Sequence, residues 1–263
     1  MKANVLDLNG KPKSQIELPA IFKVPVRPDV IKRSYLALES HTRQPYGSDP
    51  MAGLRTSAHY HGKRRVRYTM MMVNKARRPR LHRTSTNMMW RVRRIPSSVK
   101  GRRAHPPLIE KVWDQKINDK ERRLALNSAF ASTVSHDFVC LRGHIIGEIK
   151  LPIVVEDDIQ KLKRSKEIEQ LLSKLGLEKE LERVKEKKVR AGKGKMRGRK
   201  YKRKVGPLIV VGEDKGIKNA GKNLAGVEVK NVKNVSVKDL APGASPGRLT
   251  IYSKSAIEYL KGS

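Results

Sequence analysis

The chain has 263 residues, 38% of them hydrophobic, and a net charge of +34 from 59 Lys and Arg against 25 Asp and Glu. That length holds one large domain or two small ones, but the apolar content packs a core over only part of it. The single cysteine, Cys140, excludes an internal disulfide and a cysteine-based zinc site and suits a reducing compartment. No stretch approaches the ~18 apolar residues of a membrane span, and an acid at Asp7 with no apolar run behind it argues against a targeting segment.

Val5, Leu6 and Leu8 precede Asn9-Gly10, and Ile16 and Leu18 precede Pro19, which predicts two short strands joined by a turn at residues 10–13. Arg27-Pro28-Asp29 opens a helix, with proline in the first turn and Val30, Ile31, Tyr35 and Leu38 on one face. It should end before Pro45-Tyr46-Gly47. Residues 50–109 then carry sixteen Lys and Arg and no Asp or Glu. With prolines at 79, 96, 106 and 107 and no period of 3.6 or 2, this stretch reads as an irregular extension. It repels itself until a polyanion runs along it.

Order returns at Asn118, where Asn118 and Glu121 have the spacing of a capping box and the alanine-rich run 124–134 predicts a helix. Leu151-Pro152-Ile153-Val154-Val155 reads as a buried strand, and the acids Glu156, Asp157 and Asp158 after it as helix N-terminal charge and solvated surface. Ser165 is expected to cap a helix with Ile168, Leu171, Leu172 and Leu175; Leu177, Leu181 and Val184 mark the next. Residues 187–204 add eleven Lys and Arg without an acid, so the two basic tracts hold 27 of the 34 net charges. Pro207 to Gly212 is the clearest buried strand; residues 227–229 and 248–252 are two more, and 255–261 is a closing helix.

Strands near 152, 207, 227 and 248 with helical stretches between most of them predict an α/β fold: a mainly parallel sheet flanked by helices, with a long irregular basic extension inserted in the N-terminal half. The expected division is residues 1–45 and 107–263 as the globular RNA-binding domain, 46–106 as an extended loop, and 187–206 as a second basic loop within the globular domain. Folded back on itself at ~3.3 Å per residue, the extension reaches at most roughly 100 Å.

Gly216-Ile217-Lys218-Asn219-Ala220-Gly221-Lys222-Asn223 nearly matches a phosphate-binding loop, but Asn223 stands where a magnesium-ligating hydroxyl is required. A glycine-rich turn is the reading adopted, and nucleotide hydrolysis is set aside. The glycines at 192, 194 and 198 do not have dinucleotide-fingerprint spacing. His59-Tyr60-His61 could be half of a metal site, but no cysteine or acid lies nearby to complete it; hydrogen bonding or stacking on RNA is the expectation, with no metal and no cofactor.

Methionines 51, 70, 71, 72, 88 and 89, with Tyr46, Tyr60, Tyr68 and Trp90, are expected to form a stacking and gap-filling surface. Arginine outnumbers lysine thirteen to three in the first tract, which favours bidentate phosphate contacts and stacking on folded RNA over DNA compaction. The residues expected on RNA are Arg43, Tyr46, Arg55, His59, Tyr60, His61, Lys63, Arg64, Arg65, Arg67, Tyr68, Arg77, Arg78, Arg80, Arg83, Trp90, Arg91, Arg93, Arg94, Lys100, Arg102, Arg103 and His105 in the first tract and its approach. In the second they are Arg190, Lys193, Lys195, Arg197, Arg199, Lys200, Lys202, Arg203 and Lys204.

In their order, Arg43-Gln44-Pro45-Tyr46-Gly47, Ala52-Gly53-Leu54-Arg55-Thr56-Ser57-Ala58, Gly101-Arg102-Arg103-Ala104-His105-Pro106-Pro107, Arg190-Ala191-Gly192-Lys193-Gly194-Lys195-Met196-Arg197-Gly198-Arg199 and Gly216-Ile217-Lys218-Asn219-Ala220 form a specific set. With them the chain resembles the universal large-subunit ribosomal protein L four family, in its archaeal and eukaryotic branch, along essentially its whole length. It departs at Ser97-Ser98-Val99-Lys100, where the family often carries more glycine. The resemblance implies a non-enzymatic α/β domain on the outer face of the large subunit, in the cytoplasm. From it an extension threads into large-subunit ribosomal RNA and reaches a narrow part of the peptide exit tunnel. The implied partners are that RNA, neighbouring large-subunit ribosomal proteins and the nascent chain near the loop tip, with no membrane and no homo-oligomer.

Overall fold

A computed structural model of the chain describes residues 1–67, 69–71, 74–82, 87–147 and 149–262. Tyr68, Met72 and Arg83, each expected on the RNA-facing surface, lie outside the described residues. The structure divides into two compact units, Met1–Thr42 with Asp114–Ser263, and Arg43–Trp113.

In chain order the first unit contains β1 (Lys2–Leu6), β2 (Pro12–Glu17), α1 (Pro28–Ser40), α2 (Asp119–Ser132), α3 (His136–Leu141), β3 (Ile153–Val155), α4 (Ser165–Lys174) and α5 (Glu178–Lys185). There follow β4 (Lys187–Val189), β5 (Tyr201–Arg203), β6 (Leu208–Val211), α6 (Ile217–Lys222), β7 (Glu228–Asn231), α7 (Val237–Leu240), β8 (Thr250–Ser253) and α8 (Lys254–Lys261). Six strands make one sheet in the order β2-β1-β3-β8-β6-β7. β1 and β2 form the antiparallel hairpin, with Ala3 opposite Ile16, and every other pairing in this sheet is parallel. As the sequence predicts, this is an α/β fold with a mainly parallel sheet.

The pleat explains why its strands are continuously apolar. Successive side chains point to opposite faces, and both faces are covered. Leu208 and Val210 of β6, Val154 of β3 and Tyr252 of β8 enter one core with Ile31 of α1, Ala125 and Ala129 of α2 and Ile257 of α8. Ile209 and Val211, Ile153 and Val155, and Ile251 enter the other, with Ile168 and Leu172 of α4, Leu181 of α5 and Ile217 of α6. Each fully buried Val, Leu or Ile among them contributes about 1.5–3 kcal/mol. No helix among the described residues is long and apolar enough to cross a membrane.

Several local expectations change. On α1 the buried stripe is Val30, Ile31, Ser34, Ala37 and Ser40, while Tyr35 and Leu38 are only half-buried. Asn118 is the N-cap of α2, but the capping box is not made: Glu121 pairs with Arg33 at 3.1 Å instead. Ser165 is the first residue of α4, not its cap; Arg164 takes that place and its backbone N donates to Glu167 Oε2 at 3.4 Å. The Gly216–Asn223 stretch is a helix rather than a turn, and a Cβ on Gly221 would lie 2.4 Å from Val229 Cγ2, so glycine serves close packing on β7. Of the acids after β3, Glu156 pairs with Lys13 and Asp158 with Lys161, while Asp157 accepts from Ser255 N at 2.8 Å.

The Arg43–Trp113 unit has a different construction. Its described buried apolar residues are Ala58, Met70 and Leu81, so Met70 is interior rather than part of a stacking surface. Its described residues form no helix or strand; single antiparallel bridges join His59 to Arg80 and Arg80 to Val92. The ends of the segment meet where Ser48 N donates to Pro107 O at 3.2 Å. Further in, Gly53, at φ 76°, lies so near the other limb that a Cβ would sit 2.5 Å from Arg102 N. The chain thus doubles back more than once, which shortens its reach below that of a single thirty-residue hairpin.

Candidate nucleic-acid interface

Two cationic features are candidates for such an interface, the Arg43–Trp113 unit and the hairpin β4–β5, each taken by itself. In the first, most of the expected contact residues are exposed: Arg43, Tyr46, Arg55, His59, Tyr60, Lys63, Arg64, Arg65, Arg67, Arg77, Arg78, Arg91, Arg94, Lys100, Arg102, Arg103 and His105. Some have tasks inside the unit. Arg80 donates from Nη1 to Trp90 O at 2.9 Å and from Nη2 to Ala76 O at 3.0 Å. Arg93 is buried and donates to Val99 O at 2.5 Å. A guanidinium that donates to carbonyls of its own loop shapes the backbone and leaves the exposed ones to face outward.

That backbone is unusual. Arg65, Asn74, Trp90, Arg94 and Lys100 have φ between 44° and 80°, a left-handed conformation that costs L residues energy and clusters where a partner dictates shape. Gly101 permits the bend beside them, because a Cβ there would fall 1.9 Å from Ile95 O.

At the base of the unit Tyr46, His105, Pro106, Pro107, Leu108 and Trp113 line a cavity of about 650 Å³. The Tyr46 and Trp113 rings lie 5.3 Å apart, and two cations lie over Trp113, Lys111 at 4.5 Å and Arg43 at 5.8 Å. A second such pair is Lys75 over Trp90 at 5.0 Å. Aromatic rings flanked by cations are platforms on which an unpaired base stacks while its phosphate is neutralised. Trp113, Lys111 and Lys75 were not among the residues expected on RNA. Trp113 lies past the end of the acid-free tract, beside Glu110 and Asp114, which hid it from a reading based on charge.

The second tract folds as an antiparallel hairpin, Lys187 opposite Arg203 and Val189 opposite Tyr201. Both strands are exposed along their length, and Lys193, Lys195, Arg197, Arg199, Lys200, Lys202 and Arg203 face solvent. Gly192 and Gly198, at φ 74° and 76°, turn the chain between them. Arg190 is half-buried and ties the turn through Nε to Arg199 O at 3.1 Å, and Lys204 pairs with Glu186 at 2.5 Å. Lys187 and Lys200 each lie 5.5 Å from the Tyr201 ring.

The hairpin springs from a rigid root. Glu180 of α5 is buried, and its carboxylate accepts from Arg183 Nη2 at 2.6 Å, His144 Nδ1 at 2.6 Å and Ile145 N at 3.0 Å. Burial alone would raise the Glu180 pKa; these bonds outweigh it and hold the carboxyl below its ordinary value. Burial likewise pushes His144 down, so it is the neutral donor beside an ionised Glu180–Arg183 pair. Arg183 also donates to Val205 O at 2.8 Å, just past β5.

Among the described residues the arrangement offers many exposed cations and a few aromatic surfaces. The family model for the ribosomal protein L4/L1 family matches residues 16–263. The chain is 48% identical to the large ribosomal subunit protein uL4 of Nanoarchaeum equitans, covering 99% of this chain and 98% of that one. It is 45% identical to that of Archaeoglobus fulgidus, with 99% and 98% covered, and 46% identical to that of Saccharolobus solfataricus, with 98% and 93% covered. A match of this length and identity, over both basic tracts and the sheet that carries them, means that the chain belongs to the ribosomal protein L4/L1 family.

Proposed function

We propose that the chain is a structural constituent of the large ribosomal subunit in the cytoplasm. It binds large-subunit ribosomal RNA through residues 46–106 and 187–206 and supports assembly of the subunit beside neighbouring ribosomal proteins. Its extended loop forms part of the wall of the polypeptide exit tunnel, where the nascent chain passes. The observation that carries this reading is a segment of sixteen cations without an acid whose arginines are mostly exposed on a nearly coreless scaffold. Such a segment gains most of its order from an external polyanion. Relatives along almost the whole length are named as large ribosomal subunit proteins, which supports the same reading. Catalysis has no part in it: the near-match to a phosphate-binding loop is a six-residue helix with Asn223 at its end.

Salt dependence tests the reading. If half of the sixteen cations of the first tract meet phosphates, log K against log salt falls with a slope of about −6 to −7, from roughly −0.7 to −0.9 per phosphate. A large-subunit RNA affinity that changes little between low and high salt rules this function out.

A further inference from the structure

Three histidines, two of them adjacent in the sequence pattern and one distant, come together in the Arg43–Trp113 unit: His59, His61 and His82. The backbone brings them to one side. His59 and Arg80 exchange both bridge hydrogen bonds, His59 N to Arg80 O at 3.3 Å and Arg80 N to His59 O at 3.1 Å. On extended backbone, residues two apart share a side, so His61 follows His59 and His82 follows Arg80. The ring centroids are 4.2, 4.7 and 4.7 Å apart, and one nitrogen from each ring lies within 4.8 Å of the others. Tetrahedral zinc with Zn–N of ~2.0–2.1 Å needs nitrogens about 3.3 Å apart, within reach of small ring rotations.

The protons are placed to suit a metal. His59 Nδ1 lies 2.8 Å from Ser57 O, to which it donates, so the lone pair of that ring is on Nε2, which meets Nε2 of His61. His82 Nε2 lies 3.4 Å from His59 O. A ring that donates its second nitrogen to a carbonyl is oriented as metal-bound histidines are. His82 is buried and stands edge-on to Trp90 at 5.4 Å, while His59 is exposed, so the cluster is walled on one side and open on the other.

We propose that His59, His61 and His82 form a three-imidazole site for a borderline divalent transition metal, zinc above all, with its fourth position open to water or a phosphate oxygen. All-nitrogen ligation selects zinc, cobalt, nickel or copper over magnesium and calcium, which take oxygen ligands. The site differs in kind from the magnesium that accompanies RNA. It ties residues 59–61 to residue 82 in a unit with almost no apolar core, doing for this lobe what structural zinc does for other small modules. Three ligands from the tract itself remove the need for the cysteine or acid that the His59-Tyr60-His61 pattern lacked.

Cobalt titration of the untagged full-length chain tests this. The expected result is one equivalent bound with the intense visible bands of tetrahedral Co²⁺, displaced by Zn²⁺ and not by excess Mg²⁺. His82→Gln should weaken binding by at least ~100-fold, since even outer partners of metal ligands are worth ~10–100-fold. His41→Gln, in the other unit, should leave the titration unchanged. The same titration on the chain bound to large-subunit RNA provides a second state. The proposal is overturned if tetrahedral bands appear in neither state, or if His82→Gln and the His59→Gln/His61→Gln double variant titrate like the parent. The free-chain arm does not depend on the RNA reading, so the two can fail separately.

Discussion

The Met1–Thr42 and Asp114–Ser263 unit and the Arg43–Trp113 unit solve the same problem by opposite means. The first buries apolar side chains on both faces of a sheet, so its order is paid for by water released from its interior. The second buries few, and holds its turns with arginine-to-carbonyl bonds and single backbone bridges while sending the rest of its guanidiniums outward. Net hydrogen bonds contribute only ~0.5–1.5 kcal/mol each. A loop built this way is shaped in advance but not strongly stabilised.

The comparison breaks most directly by removing one side of it. Replacing residues 47–105 with a glycine-serine bridge should leave the sheet unit cooperatively folded while RNA affinity falls by at least ~10³-fold, as expected on losing many phosphate contacts. Circular dichroism melting and filter binding report the two effects, and a sheet unit that fails to fold would show that the extension is part of the core. Next in size is a change within the sheet unit alone. Arg248 is 1% exposed and donates to Gly206 O at 3.0 Å, Asp239 O at 2.8 Å and Glu228 Oε2 at 2.7 Å. Arg248→Ala should cost about 1–3 kcal/mol in urea unfolding, because it strands the buried Gly206 carbonyl, and should leave the salt slope of RNA binding unchanged.

The smallest expected effect is acid sensitivity at the root of the β4–β5 hairpin. His144 has its pKa lowered from 6.5, so the unfolded chain takes up that proton first; its contribution to stability is complete above about pH 6.5 and is lost as pH falls below it. Glu180 is lowered from 4.5, and its contribution is complete above that value and lost below it. Thermal melts between pH 7.5 and 4 should therefore fall in two stages, and His144→Gln should remove the earlier one. Persistence of both stages in that variant would assign the first to another group.

The sheet was legible because burial on two faces leaves an unmistakable trace: Leu208, Ile209, Val210 and Val211 are apolar in succession and all are buried. The β4–β5 hairpin was not, since strands exposed on both sides carry no alternation for a pattern to find. Charge counting marked the cationic tracts but not the direction of individual side chains, so Arg80 and Arg93 looked like their exposed neighbours. The place of His82 beside His59 depends on a bridge between residues 59 and 80 that no local pattern announces. Glu180, lying between the apolar Leu177, Leu181 and Val184, had no sequence sign of being buried; only the arrival of His144 and Arg183 explains it.

The place of β8 in the sheet has a consequence for how the molecule comes into being. It lies between β3 and β6 although it is the last strand in chain order. During synthesis β1, β2 and β3 can assemble on one side and β6 and β7 on the other, but the two halves have no common edge until residues 250–253 emerge and fill the gap. Folding of the sheet is therefore a late, long-range event that closes distant loops. The residues 43–113, made much earlier, wait through most of translation as a cationic segment, so the interval between their appearance and that of β8 is when the growing chain most needs shielding from stray polyanions.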